Sequence, residues 1–191
     1  VSVHCRLKAY LAFLYICFFT SSVLSHEINI DGKLDDSAWI SADEYTKYYE
    51  TLPFTLNEPK DFQKVLILED EKGIYLGFIN KQDKETIRAN RHERDDEMAN
   101  ADKAGLAIDF DGDGLAAYAF TVSAGGSIAD GIYRNENEVN YDWDADWKSG
   151  VFIDKDYWYA EMFIPWSIAP MKAVNEEFRE VKLSFWRLLA A

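Results

Sequence analysis

Apolar and polar positions alternate in short bursts along this chain, and most bursts end at glycine or aspartate. Phe62 to Leu68 and Ile74 to Ile79 are two such bursts, joined by Glu69-Asp70-Glu71-Lys72-Gly73. Two β-runs around a five-residue turn ending in glycine read as a hairpin. In its second arm Tyr75, Gly77 and Ile79 share one face, and Ile74, Leu76 and Phe78 share the other. Both faces are apolar, which predicts a central strand. A second hairpin is predicted from Gly105 to Phe110, through Asp111-Gly112-Asp113-Gly114, to Leu115–Val122. Ser127–Arg134 is a further strand. Val151–Ile153 and Tyr157–Ile164 flank the turn Asp154-Lys155-Asp156, and Val181–Leu188 is the last strand. Near the start, a short strand from Ile28 turns at Asp31-Gly32, and Asp35 or Asp36 caps a helical turn that carries Trp39 inward. Residues 81–103 are the most polar stretch and read as a loop or short helix crossing one edge. Many short strands with frequent turns and no βαβ alternation predict an all-β fold, an antiparallel β-sandwich. The chain stops directly after a strand at Leu189-Ala190-Ala191, which reads as a sandwich incomplete at its C-terminus.

The first 25 residues belong to a different pattern. Arg6 and Lys8 precede an apolar run from Ala9 to Phe19, and Val23 and Ser25 stand at −3 and −1 of a cleavage site before His26. This is the form of a signal peptide, and the uninterrupted core is short of the ~20 residues that span a bilayer. The expected organisation is therefore a leader over 1–25 and one domain over 26–191, exported to the periplasm, cell surface or medium. Cys5 and Cys17 both fall in the leader, so disulfides and thiol chemistry are excluded from the domain. Two basic and no acidic residues leave with the leader, which takes the net charge from −14 to −16. That sign opposes nucleic acid and anionic lipid as partners, and suits neutral sugars and divalent cations.

Four segments in order resemble the family 9 carbohydrate-binding modules. They are Ile30-Asp31-Gly32-Lys33-Leu34-Asp35-Asp36-Ser37-Ala38-Trp39, Val65 to Phe78, Ala107-Ile108-Asp109-Phe110-Asp111-Gly112-Asp113-Gly114, and Trp158 to Trp166. The resemblance implies a β-sandwich, loop-stabilising calcium and glycan recognition. Trp143-Asp144-Ala145-Asp146-Trp147 is similar to the branch that opens large bacterial surface proteins with a C-terminal outer-membrane barrel. The sugar clamp of the family is altered. Met98-Ala99-Asn100 replaces a tryptophan before the acidic position matching Asp102, Gly105 stands where those members have glutamate, and Thr121 stands roughly where they have arginine. Their second stacking tryptophan corresponds to a position beyond Ala191.

Sugar recognition needs an aromatic face against the C–H side of a pyranose and polar groups around it. Trp143 and Trp147 are the candidate platforms, with Asp102 and Arg94 as polar partners. They sit in an Asp-rich loop, and being four apart they would share a face on a helical turn; the alternative is that they plug the end of the sandwich. Trp39, Trp158 and Trp166 read as core, and Trp186 as either. Asp109, Asp111 and Asp113 form an alternating set of hard oxygen ligands suited to calcium, as do Asp142, Asp144 and Asp146. The twelfth position of the first set is Phe120, which rejects an EF-hand; its alternative is a plain hairpin turn. Glu161 lies between apolar neighbours, where a basic partner is expected. No triad, HExxH, P-loop or G-x-S-x-G is present, so no catalysis is expected. The function expected is a non-catalytic glycan-binding module that assists polysaccharide capture or breakdown by a larger secreted or surface protein. The alternative is a structural periplasmic domain packed against the C-terminal remainder of an outer-membrane protein.

Overall fold

The structure is a computed structural model that describes residues 2–5, 28–96, 99–134, 138–173 and 179–190. Its strands are β1 Ser2–Cys5, β2 Asp43–Tyr45, β3 Gln63–Glu69, β4 Gly73–Lys81, β5 Lys103–Asp109, β6 Tyr118–Ser123, β7 Ile128–Arg134, β8 Glu138–Asn140, β9 Lys148–Ile153, β10 Tyr157–Pro165 and β11 Arg179–Leu188. Short 3-10 turns cover Ser37–Ser41 and Trp166–Ile168. The leader expected over 1–25 and the Met98 position lie outside the described residues, except that Ser2–Cys5 pair with Arg179–Lys182 of β11. Among the described residues no helix is long and apolar enough to cross a membrane.

Two antiparallel sheets form the predicted β-sandwich. One has the order β1-β11-β5-β6-β7-β8 and the other β2-β3-β4-β10-β9. Period-two alternation fixes which residues face inward. Val65, Ile67, Leu76, Phe78, Met162 and Ile164 from the second sheet meet Leu106, Ile108, Phe120, Val122, Val181 and Leu183 from the first in one core. The strand with two apolar faces, β4, is central as expected, because residues 28–41 cover part of its outer face. Leu34 and Trp39 lie over Gly77, where a Cβ would stand 2.5 Å from Leu34 Cδ2.

That covering segment shows how the sequence sets the local fold. Gly32 has φ +90°, and a Cβ there would stand 2.4 Å from the Val151 carbonyl carbon. The Asp31-Gly32 turn thus lies directly on the β9 backbone. Glu161 fastens it: one carboxylate oxygen accepts from the Asp31 and Gly32 amides at 2.9 and 2.7 Å, and the other accepts from the Trp39 indole at 3.0 Å. The basic partner expected for Glu161 is therefore replaced by three N–H donors. Burial pushes its carboxyl above the ordinary range, and the hydrogen bonds from Gly32, Asp31 and Trp39 work against that shift.

Several boundaries differ from the sequence reading. The segment 28–30 is not a strand. Asp36 precedes the 3-10 turn, but its side chain accepts from the Asn29 amide at 2.9 Å instead of capping. The strand expected from Leu115 begins at Tyr118, and Leu115 is exposed. Lys81 closes β4, and the described part of 82–102 carries no helix; it is loop.

Candidate functional site

The Asp-rich loop is extended, with Asp142, Asp144 and Asp146 exposed and Trp143, Ala145 and Trp147 turned toward the core. Trp147 is only 7% exposed and meets Phe120 edge-on at 5.5 Å. Trp143 is half-buried against Tyr118 at 5.0 Å and Phe120 at 6.0 Å. The two indoles share a face because buried and exposed positions alternate along the loop, and that face is the interior. Trp147 is thus part of the core and is corrected as a sugar platform; Trp143 is packed on two core rings.

Asp102 and Arg94 are likewise engaged within the protein. Asp102 is fully buried and accepts from the Gln82 side chain at 2.8 Å and from the Arg88 and Ala190 amides at 2.8 and 2.7 Å. Arg94 binds buried Asp130, the Ala145 carbonyl at 3.1 Å and the exposed Asp144 carboxylate at 2.9 Å. Asp130 also accepts from the Ala145 amide at 2.7 Å. The pair pins the Asp-rich loop to the sandwich. Burial raises the Asp130 carboxyl, against the pull of Ala145 and Arg94.

The structure places Asp109, Asp111 and Asp113 in one turn but points them at different partners. Asp109 accepts from the amides of Asp111, Gly112 and Gly114 at 3.2, 2.8 and 2.7 Å. Asp111 pairs with Arg179 at 2.7 Å. Asp113 bonds Lys172, which holds its carboxyl below the usual range. Among the described residues no three of His, Cys, Asp and Glu converge on one metal position.

A trough that the sequence reading did not identify has a volume of about 920 Å³. Its floor is the outer face of the six-stranded sheet, where Ala119, Thr121, Ser123 and Ala129 are short. Trp186 stands at one side, with Tyr133 and Tyr141 at the other. The β2–β3 connection forms a bank through Lys47–Leu52 and Pro59–Asp61, and at the open end of the sandwich Tyr45, Tyr48, Gln63 and Arg187 line it. The bank is held by a compact turn in which the Glu50 carbonyl accepts from the Thr55 and Leu56 amides.

The trough concentrates buried polar atoms without partners. Seven such side-chain atoms occur among the described residues, and four of them belong to trough-lining residues: Tyr48 Oη, Gln63 Oε1, His92 Nε2 and Arg187 Nε. A fifth, Asn80 Nδ2, is on the amide to which Gln63 Nε2 donates at 2.9 Å. Buried polar groups are ordinarily hydrogen-bonded, and enclosed ordered water is the expected partner of atoms with so little accessible surface. His92 Nδ1 lies 2.9 Å from the Glu93 carbonyl, an acceptor only, so Nδ1 carries a proton. Its backbone is clamped by Ser127, whose hydroxyl accepts from the His92 amide and donates to its carbonyl. Arg187 donates to the Phe62 and Lys81 carbonyls and to Gln82 Oε1 at 3.1, 3.0 and 2.7 Å, and burial lowers its affinity for its proton. The outer-face trough itself joins the short polar side chains Thr121 and Ser123 with the aromatic rings of Trp186, Tyr133 and Tyr141. The resemblance marked two of its positions, Thr121 in the floor and Gly105 beneath Trp186, as places where the family's clamp is altered; its other residues come from strands and loops far apart in the chain.

No protein-family model matches this chain, and a search of curated proteins returns no match.

Proposed function

We propose that this chain is a non-catalytic glycan-binding module of an exported protein, and that the trough, not the Asp-rich loop, receives the saccharide. The observation that carries this reading is the aromatic-edged concavity over the outer face of the six-stranded sheet, with Trp186 at one side, Tyr133 and Tyr141 at the other, and Thr121 and Ser123 in its floor. A saccharide presents C–H faces to aromatic rings and hydroxyls to polar side chains, so it answers this mixed lining. The net charge of −14 is compatible with a neutral ligand. Calcium enters the proposal as a stabiliser of the acidic loops.

Isothermal titration against cello-, xylo-, manno- and malto-oligosaccharides, with calcium present, tests the reading. At least one should release heat, and Ala129→Trp, which fills the floor, should abolish it. If none of the saccharides binds the unaltered protein, the reading falls and the structural role becomes the better account. A melting curve with and without EDTA tests the metal: a lower Tm in EDTA supports calcium, and an unchanged one removes it.

A further inference from the structure

Trp186 and Gly105 oppose each other across the β11–β5 ladder, on the outer side of the six-stranded sheet. A Cβ on Gly105 would stand 2.7 Å from both Cε2 and Cζ2 of the indole, and 2.7 Å from the Phe120 carbonyl oxygen. No real Cβ approaches so closely. The ring therefore occupies the space that any other residue at 105 would fill, and rests on bare backbone. Glycine inside a strand marks such a close approach. The next positions along the row are Thr121, opposite Gly105, and Ala129, opposite Thr121, so the side chains across the sheet from the indole are short. Of the six tryptophans, Trp186 alone lines the trough. Trp39, Trp147 and Trp158 are buried, Trp143 packs on Tyr118 and Phe120, and Trp166 is tied through its N–H to the Asp70 carbonyl at 2.8 Å.

We infer that Trp186 is the surface on which a sugar ring stacks, and that Gly105 is the positioning residue that lays the indole down. The inference rests on the glycan-binding reading of the trough and specifies how that trough recognises its ligand: the apolar C–H face of a pyranose lies on the indole, and hydroxyls meet the polar lining. A polarisable, partly exposed ring that lines the trough suits this contact, while the short residues across the sheet from it leave room for a second sugar ring.

The test uses the full chain, the same oligosaccharide panel, a melting curve and tryptophan emission. Trp186→Ala should lower affinity about tenfold, the scale of one aromatic stacking contact, with Tm nearly unchanged. Gly105→Ala should lower affinity comparably although the indole is still present, with emission shifted to the red as the ring lifts into water. The double substitution should bind no worse than Trp186→Ala alone, as coupled residues do. Should Gly105→Ala fail to fold, Gly105→Ala with Trp186→Ala removes the indole contact but not the 2.7 Å approach to the Phe120 carbonyl oxygen; a double variant that folds supports the positioning role, and one that does not fold assigns the glycine to that carbonyl and removes the role. Unaltered affinity in Trp186→Ala, while Ala129→Trp abolishes binding, would overturn the stacking role and leave the glycan reading standing. Unaltered affinity and emission in Gly105→Ala would remove the positioning role. Absence of binding by the unaltered protein overturns both.

Discussion

Glu161 shows how little of a buried carboxylate's role is visible from its neighbours in sequence. Flanked by Ala160 and Met162 it calls for a cation, yet its partners are two amides and an indole some 120 to 130 residues away. Backbone donors leave no trace in residue identity, and Asp102 is another case, accepting from the amides of Arg88 and Ala190. Glu161→Gln would turn an amide NH₂ toward one of these donors. It should destabilise the fold by about 1–3 kcal/mol, the cost of unsatisfied buried hydrogen-bonding groups, as read from urea unfolding. The pH dependence has a definite sign. Burial raises the folded-state pKa of Glu161 above its unfolded value, so the folded state binds more protons in the window between them. Stability therefore falls as pH rises through that window. On acidification through it, the wild type should gain stability relative to Glu161→Gln, and a gap that does not change with pH would refute the raised pKa.

At the scale of elements, the turn between β5 and β6 is organised from its first residue. Asp109 bonds three amides of its own hairpin, and Lys172 and Arg179 neutralise the acids that follow. Asp109→Ala should cost about 1–3 kcal/mol, seen as a lower urea midpoint with an unchanged m-value. Alternate aspartates followed by glycine fit both this turn and a calcium loop, and the sequence alone does not say which donors arrive from Lys172 and Arg179. The hairpins and the central β4 were legible because period-two alternation and Gly/Asp turns are local signals. The ambiguity of Trp143 and Trp147 was equally physical. A spacing of four is one helical turn and also two strand periods, so it places both indoles on one face in either conformation without saying whether that face is wet. The trough as a whole was not legible, since Trp186, Thr121 and Tyr48 meet only through the pairing order of the sheets and the course of the β2–β3 connection.

For the molecule as a whole, 34 acidic against 20 basic residues leave a net charge of −14. Self-repulsion on that scale opposes the compact state, and salt shortens its reach from about 30 Å at 0.01 M to about 3 Å at 1 M. Tm should therefore rise as sodium chloride is added, although surface ion pairs such as Lys64–Glu44 weaken; a falling Tm would mean that the ion pairs dominate. The sandwich is otherwise built on its two-sheet core, with residues 28–41 laid over one outer face and fastened by one carboxylate. That arrangement ties three protons to a single event. In deuterium exchange followed by NMR, the Asp31 and Gly32 amides and the Trp39 indole should lose their protons at one shared rate, slower than the exposed turns around them, because none is freed unless the overlay detaches from Glu161.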